Sequence, residues 1–163
     1  MDIENADNNG TTLSGTKLWL VLWKASHSIA AHANKSIETL GMCSSDFAVL
    51  EALLHKGPLP VNTIGKKVLL TSGSITTAVD RLEQRGLVER FDVPDDRRVR
   101  QVRLTKEGNK LIKSAFAKHE KDLNAATSTL SDKELETLVR LLKKLGEGAD
   151  QLLNANEART MKS

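Results

Sequence analysis

Residues 69–105 read LLTSGSITTAVDRLEQRGLVERFDVPDDRRVRQVRLT, and this stretch decides the fold. Ile75, Ala78, Val79 and Leu82 recur at intervals of three and four, so they share one buried face of a helix. Thr71 supplies an N-cap hydroxyl and Gly86 a left-handed C-terminal cap, which predicts a helix over residues 72–85. Its outer face carries Ser72, Ser74, Thr76, Thr77 and Arg81. The first turn holds only Ser72, Gly73 and Ser74. Residues this small let a backbone come close to a surface, and the free N–H groups of the turn attract phosphate. Taken alone, the pattern also fits an ordinary amphipathic surface helix.

A hairpin follows. Residues 87–91 and 99–104 alternate as strands, with Val102 and Leu104 on one face and Gln101 and Arg103 on the other. Between them lies Val93-Pro94-Asp95-Asp96-Arg97-Arg98, a turn in which an Asp pair precedes an Arg pair. Arginine fits a narrow minor groove, where the negative potential is strongest, and a neighbouring Asp can hold it by a forked ion pair. A solvated tip with self-compensating charges is the alternative. Residues 66–103 contain nine basic and six acidic side chains, which is the whole net charge of +3. Seven of the nine arginines fall there, and arginine contacts phosphate and guanine through two bonds at once. Charge and arginine bias therefore coincide with the helix and hairpin, and favour nucleic acid as the partner.

The flanking segments read as supports. Residues 1–12 are polar and acidic, a mobile arm and not a signal peptide. From Leu13 or Ser14 to Leu40 runs a long helix. Leu18, Leu22, Ala25, Ile29, Ile37 and Leu40 form one stripe, and Trp19, Trp23 and Ala30 an adjacent one. Together they are too broad for packing on one side only, which predicts contact with a second chain. Gly41 ends this helix, Ser44 or Ser45 caps the next, and Phe47, Leu50, Leu53 and Leu54 form its buried face up to Gly57-Pro58. Leu59-Pro60-Val61 reads as an extended link, and a short helix begins near Asn62. With the helix at Ser72 this makes a helix-turn-helix, and the hairpin becomes its wing. Thr105 caps a helix over residues 106–130, and Ser131-x-x-Glu134 is a capping box that opens another. Leu135, Leu138, Leu142, Leu145, Ala149 and Leu152 form a heptad-like seam that predicts either a dimer contact or an intramolecular helical hairpin. The fold class is thus mainly α with a small β-hairpin wing: a winged helix-turn-helix at 44–105, flanked by dimerisation helices at 13–43 and 106–154, with a tail at 155–163.

Composition excludes several classes. Aromatic residues make up 3% and there is no Tyr, which argues against single-strand binding by base stacking. One cysteine permits no internal disulfide and fits a reducing cytoplasm. No apolar run is long enough for a membrane span. His27, His32, His55 and His119 are scattered without ligand spacing, so no metal is expected. No nucleophile–base pair or phosphate loop suggests an enzyme, and no cofactor is implied.

The segment TSGSITTAVDRLEQRGLVER at 71–90, with Asp95-Asp96-Arg97-Arg98 and Val102-Arg103-Leu104-Thr105-Lys106-Glu107-Gly108, resembles the MarR (multiple antibiotic resistance regulator) family of bacterial transcription factors. The likeness extends over roughly residues 18–152. It implies a cytoplasmic homodimer on an inverted-repeat operator in double-stranded DNA, with one helix in the major groove and the wing in the minor groove. By match to the family motif, Ser72, Ser74, Thr76 and Thr77 face the groove and Arg81 contacts phosphate. Arg98 is the wing-tip arginine, Asp96 the carboxylate that holds it and Arg97 an added positive charge. Asp80 would repel phosphate, and three roles are open to it: it reads a cytosine, pairs with a neighbour or is merely tolerated. The resemblance also suggests a repressor released by a small, often aromatic or phenolic, effector. Trp23, His27 and Phe47 are candidate pocket residues, with plain packing as the alternative. A thiol switch at Cys43 and a DNA-independent protein-interaction module are the other readings; no basic residue is near Cys43 in sequence.

Overall fold

A computed structural model describes residues 14–93 and 96–160, with the side chains of 93–99 and 158–160 excepted. The arm at 1–12 therefore lies outside the described residues, as do the turn at Pro94-Asp95 and the last three residues. The chain divides into two compact units, Met1–Leu123 and Asn124–Ser163.

In the first unit, α1 (Gly15–Thr39) starts where Ser14 accepts a bond from the Lys17 N–H. Within this chain only its C-terminal part is buried, at Ser36 and Ile37; Leu18, Trp19, Leu20, Val21 and Trp23 are exposed. Helix α2 (Ser44–Lys56) is capped by Cys43, without a side-chain bond, and not by Ser44 or Ser45 as the sequence suggested. Ser44 instead donates to Asn34, and Ser45 lies beside Cys43. Phe47, Leu50 and Leu53 are buried as expected; Leu54 is only half-buried, and Asp46 and Val49 join the buried face.

The segment read as a link forms a strand. β1 (Leu59–Pro60) pairs antiparallel with β3 (Asp96–Leu104), Leu59 opposite Val102. β3 also pairs with β2 (Val88–Val93), so the hairpin is part of a three-stranded sheet of order β1-β3-β2. Pro60 has no N–H to give a ladder, which suits an edge strand, and it serves as the N-cap of α3 (Val61–Lys67). A turn through Leu69, in the left-handed region at φ 56°, leads to α4 (Ser72–Gln84). Thr71 caps α4 by accepting the Ser74 N–H, and Ile75, Ala78, Val79 and Leu82 are its buried residues. They meet Phe47, Leu50, Ile64, Val88, Val102 and Ile112 in one core.

Helix α5 (Lys106–Ala126) ends before Leu130, four residues earlier than its apolar pattern suggested. Its start explains the Leu-Thr-x-x-Gly run. Thr105 accepts the Gly108 N–H, donates its hydroxyl to the Gly86 carbonyl, and gives its backbone N–H to the Leu87 carbonyl. A Cβ on Gly108 would stand 1.9 Å from that Leu87 oxygen. Farther along α5, the buried His119 sits edge-on to Phe47, and its Nδ1 lies 3.2 Å from the Ser36 hydroxyl, which donates to Asp122.

The second unit is dominated by α6 (Asp132–Thr160), which continues through 155–160, where the sequence reading placed a tail. Glu134 accepts from both the Ser131 N–H and the Ser131 hydroxyl, the Glu half of a capping box. These bonds hold its carboxyl below the usual glutamate range. Leu138, Val139, Leu141, Leu142, Leu145 and Leu152 are exposed along α6. Among the described residues no helix is long and apolar enough to cross a membrane.

Gly108→Ala is expected to destabilise the fold by about 1–3 kcal/mol, because the obstacle is backbone and cannot rotate away; a chemical denaturation midpoint measures it. The Glu134 cap should be fully present above the unfolded glutamate range, about pH 4.3, and lost as pH falls through the lowered folded value. Amide exchange at residues 131–135 against pH would show this, and Glu134→Gln should flatten the dependence.

Candidate nucleic-acid interface

The outward face of α4 is built of small hydroxylated side chains. Ser72, Ser74, Thr76 and Thr77 are all exposed. The two threonines bond back along the helix, Thr76 Oγ1 to the Ser72 carbonyl and Thr77 Oγ1 to the Gly73 carbonyl, each at 3.0 Å. These local bonds satisfy the hydroxyl protons and leave oxygen lone pairs for another donor. The structure thus brings the four predicted groove-facing residues together on one surface.

Arg81 is placed differently from a simple phosphate contact. Its Nε donates to both oxygens of Asp46 at 3.0 Å, and its Nη2 donates to Asp46 Oδ1 at 2.5 Å and to Ser45 at 3.2 Å. Asp46 is 2% exposed, and Arg85 approaches its other oxygen at 3.5 Å. The bond to Asp46 raises the Arg81 pKa further above its ordinary value, so the guanidinium is permanently charged. Its side chain remains 41% exposed. Sequence reasoning missed Asp46, although the signal was there: positions 46, 49, 50 and 53 share one helix face, and only the first is not apolar.

The remaining arginines of the segment are also tied down. Arg90 on β2 reaches Asp80 at 2.5 Å and also bonds Glu83, both on α4. Burial works against its charge, but the bonds to Asp80 and Glu83 outweigh that and raise its pKa. Asp80 thus pairs with a neighbour, one of the three roles left open for it. On the wing, Arg100 pairs with Asp92, and Arg103 pairs with Glu89 while lying over the Phe91 ring at 4.7 Å. Five of the seven arginines counted in the sequence therefore have carboxylate partners, and much of the apparent positive excess stiffens the helix and wing. Asp96, Arg97 and Arg98 belong by backbone to β3, with side chains outside the described residues.

The other candidates fall apart into separate places. Trp23 and His27 stack on each other at 6.1 Å on the exposed part of α1. Phe47 is in the core against His119. No ring contact joins Phe47 to either among the described residues. Cys43 is exposed and does have a basic neighbour: Arg81 Nη2 lies 3.3 Å from its sulfur, supplied from 38 positions along the chain. Among the described residues no group of three metal-ligating side chains gathers.

Comparison with known proteins accords with this geometry. The MarR family model matches residues 44–99, the span from α2 into β3. The HTH-type transcriptional regulator MhqR of Bacillus subtilis (strain 168) is 43% identical over 143 residues, covering 88% of this chain and 99% of that protein. The structure of a mutant MarR from E. coli, complexed with operator DNA, superposes with a TM-score of 0.67 at 25% identity, over 82% of this chain and 99% of that one. NadR, solved in complex with 4-hydroxyphenylacetate, shares the fold with a TM-score of 0.68 at 20% identity, over 85% and 96% of the two chains. A hydroxylated helix face beside a braced hairpin, in a chain so similar to MhqR over nearly its whole length, makes this protein a member of the MarR family of DNA-binding transcriptional regulators, not an enzyme.

Proposed function

We propose that the chain works as a homodimeric repressor that binds an inverted-repeat operator and is released by a small aromatic or phenolic ligand. The observation that carries this reading is the exposed face of Ser72, Ser74, Thr76 and Thr77 on α4, held against the β2–β3 wing by Arg90. In this reading the hydroxyls meet base edges in the major groove, and Arg98, steadied by Asp96 with Arg97 beside it, enters the minor groove. Arg81 touches phosphate with the part of its guanidinium that Asp46 leaves exposed. The dimer is supported by the apolar residues of α1 and of α6 that this single chain leaves in solvent. On each helix taken by itself, so many exposed large apolar side chains mark an interaction site. Bound over a promoter, the dimer excludes polymerase.

The ligand class is supported by NadR, a protein of the same fold that was solved with a phenolic acid. A ligand that binds more tightly to a DNA-incompatible spacing of the two lobes lowers DNA affinity by shifting the population. Trp23, His27 and Phe47 remain the proposed pocket, which needs the partner chain or a rearrangement to bring them together.

A second reading, a thiol switch at Cys43, draws support from the exposed sulfur and the Arg81 guanidinium 3.3 Å from it. Oxidation there would add bulk and polarity beside the Arg81–Asp46 contact and disturb the seat of α4.

Selection of bound duplexes from a random pool at near-physiological salt tests the main reading. It should enrich a palindrome with half-sites about one helical turn, roughly 34 Å, apart. Arg98→Ala should weaken binding to the enriched duplex by about 1–3 kcal/mol, and unchanged affinity would remove Arg98 from the interface. Changes at Thr76 or Thr77 should alter sequence preference more than the salt slope, since phosphates set the slope and base edges the specificity. Titration with phenolic acids should lower affinity for the same duplex. For the thiol reading, peroxide should weaken binding of the wild type but not of Cys43→Ser; an equal response in both removes the switch.

A further inference from the structure

Helix α4 carries two carboxylates beside the surface assigned to DNA. Asp80 lies one turn beyond Thr76 and Thr77 on the same side of the helix, and Glu83 lies three residues farther on. Their side chains are 51% and 39% exposed. Left alone, they would present two negative charges to an approaching phosphate backbone. Both are engaged by a single cation from another element. Arg90 Nη2 donates to Asp80 Oδ1 at 2.5 Å, Arg90 Nη1 donates to Glu83 Oε2, and the Arg90 backbone N–H donates to Glu83 Oε1 at 3.1 Å. The Arg90 side chain is only 19% exposed, so most of its surface is committed to this contact and its surroundings.

We propose that Arg90 is a positioning residue for DNA binding, which masks the charge of Asp80 and Glu83 so that phosphates can approach the face of α4. The proposal rests on the reading that this face meets DNA. Arg90 itself need not touch the nucleic acid. Its planar fork suits the task, because one guanidinium can serve two carboxylates in fixed directions where an ammonium acts as a point charge. The same bridge ties α4 to β2, the strand that leads into the wing, so masking and alignment of the two DNA-contacting elements come from one side chain.

The test compares variants of the full chain on the duplex enriched from the random pool, with affinity read against salt and the thermal unfolding midpoint read alongside. Arg90→Gln is expected to bind about tenfold more weakly at low ionic strength, with the deficit shrinking as salt screens the exposed carboxylates. Adding Asp80→Asn and Glu83→Gln to Arg90→Gln should return affinity to within about threefold of wild type, because the repelling charges are gone. A purely structural Arg90 would instead lower the unfolding midpoint and gain nothing in affinity from the two added amides; that result overturns the proposal. Should Arg90→Gln fail to fold, the Asp80→Asn/Glu83→Gln variant with Arg90 retained decides the matter. It should bind at least as tightly as wild type, and weaker binding overturns the masking. Wild-type affinity in Arg90→Gln overturns the masking alone. Failure of the wild type to bind any duplex overturns the reading of α4, and the proposal with it.

Discussion

The contact between the buried Asp46 carboxylate and Arg81 sets where α4 lies. A carboxylate 2% exposed would be costly without a partner, and Arg81 meets it with three bonds from two nitrogens while Arg85 approaches the second oxygen. Close packing of Ile75, Ala78, Val79 and Leu82 resists displacement of α4, but hydrophobic burial itself has no direction. A forked ion pair cannot slide, because its bonds need fixed distances and angles. The pair therefore contributes register more than net stability. It holds the helix that bears the hydroxylated face at a fixed rotation against α2.

The opposite side of α4 is held by Arg90, and the base of the wing by Thr105. Thr105 satisfies three backbone groups at once, the Gly108 N–H and the carbonyls of Gly86 and Leu87, at the point where the end of α4, the start of β2 and the start of α5 converge. Gly108 lets the α5 backbone press against Leu87, which explains why a residue without a Cβ stands there. Helix α4, the wing and the start of α5 thus behave as one braced unit, and the two surfaces proposed to meet DNA keep a defined spacing. Cys43 sits at the edge of this bracing, within 3.3 Å of Arg81, so a chemical change at that sulfur would be felt first at the seat of α4.

Charge has a different role in the structure from the one its count suggested. Residues 66–103 hold the entire net positive charge, yet Arg81, Arg85, Arg90, Arg100 and Arg103 each face a carboxylate of the same chain. A net charge is a sum and says nothing about pairing. The electrostatic attraction for a phosphate backbone survives in the total, while the individual side chains are committed to fixing α4 and the wing. Helix α1 shows the converse: its N-terminal two-thirds contribute almost nothing to the core of their own chain, and the breadth of its apolar pattern is what the proposed second copy would cover.

By itself the sequence determined the elements whose causes are local. The three-and-four spacing of Ile75, Ala78, Val79 and Leu82, the Thr71 cap, the Gly86 turn and the alternation around Val102 all appear in the structure, because helix and strand periods are written in consecutive residues. The four hydroxylated positions on α4 were legible for the same reason. Only the tertiary structure decided which partners the polar groups chose. Asp46 with Arg81, Arg90 with Asp80 and Glu83, Ser36 with Asp122 and His119, and β1 with β3 join residues far apart or on different elements. Periodicity marks the face on which a residue lies, but an arginine or a short strand has many acceptors within its chemistry. Which one it meets is settled by how the core brings the elements together.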